Sequence, residues 1–124
     1  MDRFSALTAA VREFDRERDW GRFHSPQNLV LAILVEAGEL AEHFQWSDET
    51  SIEDRLSQPE TLQGVREEMS DVLIHLLQLA DRLGIDPLEA AFDKLGRNAQ
   101  RYPVEASYGD PRKRGHDQDE QPGS

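Results

Sequence analysis

The chain of 124 residues has no cysteine, which excludes a disulfide framework and a thiolate zinc site. That composition fits the reducing cytoplasm. No apolar run reaches the ~18 residues a membrane span requires. The N-terminal Met1-Asp2-Arg3-Phe4 is charged and lacks the apolar stretch of a signal peptide. Positive charge is also scarce. Lys and Arg number 14 against 25 Asp and Glu, giving a formal net charge of −11. A surface of that sign is repelled by nucleic-acid phosphates and by anionic bilayers, so neither is an expected partner. A free nucleotide stays compatible, because a cation can bridge the two negative surfaces. Alternating apolar and polar runs are nearly absent too, which leaves little room for strands.

What is present is helical. Phe4, Leu7, Ala10, Val11 and Phe14 recur at helical spacing and predict a first helix over 3–18. Ser25-Pro26 is a helix start, with Ser as N-cap and Pro at the first position. The second helix is expected to run to about Gln45. It contains Gly38, which either admits a close partner or is a tolerated helix cost. Residues 47–57 read as a polar loop with at most a short helical turn. Pro59 opens a third helix that runs to Leu83, with Gly84 as its stop. Asp86-Pro87 opens a fourth helix that reaches about Gln100. This predicts an all-α, four-helix-bundle-like domain over 1–103, with a disordered polar tail over 104–124. Leu29–Val35 is apolar on every face of its helix, and Val72–Ala80 nearly so. A helix apolar all round is buried all round, and in a domain this small a second subunit is the economical cover. An obligate oligomer is therefore expected.

Two acidic pairs interrupt these apolar helices: Glu36-Ala-Gly-Glu39 and Glu68-Met-Ser-Asp71. Each pair is spaced i, i+3 and so lies on one helix face, one turn apart. Acidic helices show such spacing by chance on solvated faces. No Lys or Arg stands between Pro26 and Arg55 to neutralise the first pair. Carboxylates gathered on a buried seam without counter-ions repel one another, and a hard divalent cation relieves that repulsion. His43 and His75 each follow an acidic residue by four. That is not the Glu-x-x-His spacing of di-iron bundles. An all-oxygen ligand set suits Mg²⁺, with Mn²⁺ as the second choice, and Mg²⁺ characteristically works on phosphates. There is no Walker A loop.

Several further stretches stand in order along the chain. They are Asp19-Trp20, Phe23-His24 with Pro26 and Asn28-Leu29, Glu36-Ala-Gly-Glu39-Leu-Ala-Glu42, and Phe44-Gln45-Trp46. Glu67-Glu68-Met-Ser-Asp71-Val-Leu-Ile and Lys94-x3-Asn98-x2-Arg101-Tyr102-Pro103 follow. In this order the chain resembles the MazG-like all-α nucleoside triphosphate pyrophosphohydrolases, and within them the dCTP pyrophosphatase branch. The phosphoribosyl-ATP pyrophosphohydrolase branch fits the F-H-x-P-x-N and F-Q-W segments less well. The resemblance implies hydrolysis of a nucleoside triphosphate to monophosphate and pyrophosphate, acting on dCTP or a related or modified pyrimidine deoxynucleotide, in nucleotide-pool cleansing. It implies Glu36, Glu39, Glu68 and Asp71 as Mg²⁺ ligands and catalytic residues, with one of them or Glu67 orienting or deprotonating the attacking water. It implies Lys94 and Arg101 at the phosphates, Asn98 at the nucleoside, and Trp20, His24 and Trp46 around the base. His75 stands where the dCTP-hydrolysing relatives carry tyrosine, so it bears on base preference. Relatives of this size imply a tetramer built as a dimer of dimers. The competing reading from the residues alone is a non-enzymatic helical interaction module with an acidic partner-facing surface.

Overall fold

The computed structural model describes residues 1–45 and 48–112. Within them the chain is all-α: α1 Arg3–Glu17, α2 Pro26–Glu42, α3 Glu49–Leu56, α4 Pro59–Leu83, α5 Pro87–Arg101 and α6 Val104–Ser107, with a 3₁₀ turn at Gly21–Phe23. The chain forms two compact units, Met1–Ile85 and the part from Asp86 onward.

The helix starts follow local chemistry. Asp2 caps α1 by accepting from the Ser5 N–H at 2.8 Å. Ser25 caps α2 by accepting from the Asn28 N–H at 3.2 Å, and Pro26 takes the position whose N–H would be orphaned anyway. Pro59 and Pro87 do the same for α4 and α5. Gly84 ends α4 in the left-handed conformation, φ +67°, which a residue with a Cβ resists.

Within the span expected to be a loop with a short helical turn, the structure forms the two-turn helix α3 at Glu49–Leu56. Asp48 caps it by accepting from the Ser51 N–H at 2.8 Å. Ile52 and Leu56, one turn apart, are both half-buried, and α3 packs on α4. The capping carboxylate and that single apolar pair are enough to fix a two-turn helix in an otherwise polar stretch. At the other end, residues 104–107 of the expected tail form α6. Residues 113–124 lie outside the described residues.

In the first unit α2 packs along α4, while α1 and α3 pack more lightly on α4. Leu29, at 1% exposure, is the deepest residue, and Val65, Leu77 and Ala80 of α4 complete the core. Gly64 sets the closeness of the α2–α4 contact. A Cβ there would stand 2.6 Å from Cε1 of His43, the C-cap of α2. Gly38 makes no such contact, since a Cβ on it meets nothing within 4 Å. The rest of the α2 apolar run is covered only in part, with Ala32 and Ile33 half-buried. Val30, Leu31, Leu34 and Val35 are exposed, as are Met69, Leu73 and Leu76 of α4.

Candidate metal and nucleotide site

The α2–α4 contact places the acidic pairs opposite each other. Glu36, Glu39 and Glu68 each bring a carboxylate oxygen within 4.8 Å of the other two. Asp71 is not part of this closest group, but its charge acts on both Glu36 and Glu68. Burial first, and then the neighbouring carboxylates led by Glu39, push the Glu36 carboxyl up to about 7. Glu68 is raised for the same reasons, burial first. Oε2 of Glu36 is buried without a hydrogen-bond partner. A buried, unsatisfied carboxylate oxygen among like charges fits a hard cation, because a cation removes both penalties together. The first expected ligand set is thus half on α2 and half on α4. Glu67, the neighbour of Glu68, is exposed and accepts from Gln63 Nε2 at 3.2 Å, outside the cluster.

Glu68, Asp71, His75 and Gln78 follow one another at three- and four-residue steps, so α4 presents them along one stripe. That stripe leads from the carboxylates into a cavity of about 340 Å³ in the first unit. Phe14 and Trp20 form its aromatic wall, and Ala10, Val11 and Ile74 its aliphatic part. Asp71, His75 and Gln78 are its polar groups. The two aromatics meet edge to face, with ring centroids 5.4 Å apart. Their contact depends on a sharp reversal after α1. Asp19 takes φ 52°, a left-handed conformation that Asp tolerates better than most residues, and the Trp20 N–H returns to the Asp15 carbonyl at 3.0 Å.

His24 lies beside this wall, its ring 6.5 Å from that of Trp20 and its Nδ1 3.6 Å from Oδ2 of Asp15. It lines a second cavity of about 320 Å³ together with Asp15 and Gln78. The F-H-x-P-x-N segment owes its shape to Asn28, whose Nδ2 donates to the Phe23 carbonyl at 2.9 Å. His75 joins the two halves of the site. Its Nε2 stands 3.9 Å from Oε1 of Glu36, and its Nδ1 stands 2.8 Å from Oε1 of Gln78.

The structure therefore brings Glu36, Glu39 and Glu68 together, with Asp71, His75 and Trp20 adjoining and His24 next to Trp20. Trp46 lies outside the described residues. Lys94, Asn98 and Arg101 are in the second unit, on α5, where steps of four and three residues put them on one helix face. Asn98 accepts the Tyr102 N–H at 2.8 Å through its carbonyl, and the Arg101 guanidinium lies 5.8 Å from the Tyr102 ring. Sequence reasoning missed Phe14, Asp15 and Gln78. The spacing of Gln78, three residues past His75, was the available signal for one of them.

An all-α protein with opposed E-x-x-E and E-x-x-D helices and an adjoining aromatic cavity is a carboxylate-cage helical protein. Comparison with known proteins narrows the class. Residues 31–115 match the model of the MazG-like family, and the chain belongs to that family. It is 47% identical over 97 residues to dCTP pyrophosphatase 1 of Mus musculus, covering 78% of this chain and 57% of that protein. It is 43% identical over 101 residues to dCTP pyrophosphatase 1 of Homo sapiens, covering 82% of this chain and 59% of that protein. The chain thus spans less than two thirds of the length of these curated relatives. A crystal structure of a pyrophosphatase from Archaeoglobus fulgidus superposes with a TM-score of 0.76 at 38% identity, covering 83% of this chain and 94% of that one.

Proposed function

We propose that this chain is a Mg²⁺-dependent nucleoside triphosphate pyrophosphohydrolase that cleaves dCTP, or a related pyrimidine deoxynucleotide, to monophosphate and pyrophosphate. The observation that carries the reading is the close approach of Glu36, Glu39 and Glu68 beside an aromatic cavity. The likeness to dCTP pyrophosphatases supports the substrate class. Residues 1–103 act as the pyrophosphohydrolase domain, with 104–124 as its tail. The role is cleansing of the nucleotide pool in the cytoplasm. No helix among the described residues is long and apolar enough to cross a membrane.

Glu36, Glu39, Glu68 and Asp71 would hold the cation, with Mn²⁺ as a substitute. A bound Mg²⁺ would supply charge neutralisation to the triphosphate and acidify the attacking water. One carboxylate of the cluster takes the proton from that water as its oxygen bonds to phosphorus. The bond between the bridging oxygen and that phosphorus breaks, and pyrophosphate and monophosphate separate. Glu67 is the poorer base, since Gln63 holds it outside the cluster. Trp20 stacks on the base, Phe14 backs it edge-on, His24 lies beside Trp20, and His75 meets the polar edge of the base, with Trp46 as the further base-pocket residue that the family resemblance implies. Lys94 and Arg101 bind the phosphates and Asn98 positions the sugar or base.

The exposed apolar faces of α2 and α4 support a homo-oligomer, since contiguous apolar surface of this kind marks an interface. A second copy completes the bundle-like packing, and a dimer of dimers is the proposed assembly. Pyrophosphate release from dCTP with Mg²⁺, compared with Glu39→Ala, tests the reading. Equal rates in the two proteins overturn it.

A further inference from the structure

We propose that Gln78, clamped by Asp15, is a positioning residue that sets the tautomer of His75 and thereby selects bases with an amino donor. The inference deepens the proposed function and rests on it. The amide Nε2 of Gln78 lies 3.2 and 3.1 Å from the two carboxylate oxygens of Asp15. A carboxylate only accepts, so the amide nitrogen must face it. The opposite amide orientation would set an oxygen against two oxygens. With Nε2 committed to Asp15, Oε1 of Gln78 is the atom that faces His75, 2.8 Å from its Nδ1. An amide oxygen also only accepts, so Nδ1 must carry the proton. In the neutral ring the lone pair then sits on Nε2.

The consequence is a fixed acceptor at Nε2 of His75, 3.9 Å from Oε1 of Glu36, where the cavity meets the carboxylates and beside Asp71, which also lines it. Trp20, with Phe14 edge-on against it, offers any base a stacking face and distinguishes bases poorly. A fixed acceptor on His75 favours an aminopyrimidine, whose exocyclic amine donates, over an oxopyrimidine, whose carbonyl meets the lone pair and is repelled. A tautomer free to invert would serve either base. The Asp15–Gln78 pair removes that freedom, and it lies between the two cavities: Gln78 lines both, while Asp15 lines the second. Asp15 is also 3.6 Å from Nδ1 of His24, so one carboxylate braces both histidines.

The test is a long-range ¹⁵N–¹H correlation spectrum of the His75 ring in the full chain, paired with kcat/KM for dCTP and dTTP. The wild type is expected to show protonated Nδ1 and unprotonated Nε2. Gln78→Leu is expected to lose that signature and to lower the dCTP-to-dTTP preference by about tenfold or more, the worth of one hydrogen bond. Asp15→Asn frees the amide to rotate without emptying the site, and is expected to move both readouts the same way if Gln78→Leu folds poorly. A wild-type ring protonated on Nε2 alone overturns the proposal. So does an unchanged tautomer with unchanged discrimination in both variants. If the wild type hydrolyses no deoxynucleotide, the enzymatic reading fails and takes the selectivity claim with it, while the spectrum still decides whether Gln78 sets the tautomer.

Discussion

Oε1 of Glu36 stands 3.9 Å from Nε2 of His75, so this histidine borders the carboxylate cluster on one side and the aromatic cavity on the other. The carboxylate cluster and the aromatic cavity thus meet at one ring on α4. The juxtaposition follows from spacing on α4, where Glu68, Asp71 and His75 are one turn apart in succession, and from the packing of α2, which brings Glu36 to them.

Loss of a cluster carboxylate should abolish metal response and turnover together. Glu39→Gln and Glu68→Gln keep the side-chain shape and remove the charge. Each is expected to lower kcat/KM for dCTP by at least about 100-fold, a loss that even the indirect partners of a metal site can produce. The thermal upshift that Mg²⁺ gives the wild type should vanish in both variants. Differential scanning fluorimetry with and without Mg²⁺ checks this, since a ligand at 100 times its Kd stabilises by about 2.7 kcal/mol.

The metal-free protein should lose stability as pH rises. Glu36 is raised from 4.5 to about 7 in the fold, so the folded state holds a proton that the unfolded chain releases. Its stabilising contribution is complete below about 4.5 and is lost as pH climbs through about 7. Glu68 acts in the same direction. Melting temperatures of the metal-free protein should therefore fall between pH 5 and pH 8, as buffer choices on either side of that window. Glu36→Gln should flatten the fall, and Mg²⁺ binding near neutral pH should release protons, readable as buffer-dependent heats in calorimetry.

The exposed α2 face should be an interface. Leu34 is 62% exposed in the single chain. Leu34→Glu is expected to yield a smaller species by light scattering after size exclusion. An unchanged assembly would place the interface elsewhere.

Gly84→Ala should destabilise the fold by about 1–2 kcal/mol, the cost of a Cβ in the left-handed region. Its φ of +67° is the reason, since nothing crowds the position. Urea denaturation measures the change, and activity per folded molecule should be retained.

Much of this architecture was legible beforehand. Pro26, Pro59 and Pro87 each open a helix where the sequence places one, because the first turn has no use for the missing N–H. The acidic pairs were legible because carboxylates are conspicuous inside apolar helices. α3 was legible only as a short helical turn, since it rests on the Asp48 cap and one apolar pair inside a polar stretch. The close approach within the chain falls at Gly64, where the neighbour is His43, distant in sequence. Asp15 stood between two other acidic residues of α1, Glu13 and Glu17, and only the packing of α1 on α4 brings it to Gln78. Tertiary partners of that kind leave no local periodic trace.

The most direct test of the account is product identification by ³¹P NMR, with wild type and Glu39→Gln incubated with dCTP and Mg²⁺. The account predicts dCMP and pyrophosphate in equal amounts from the wild type and neither from the variant. Inorganic phosphate with dCDP as the first products, or no turnover by the wild type, would contradict it.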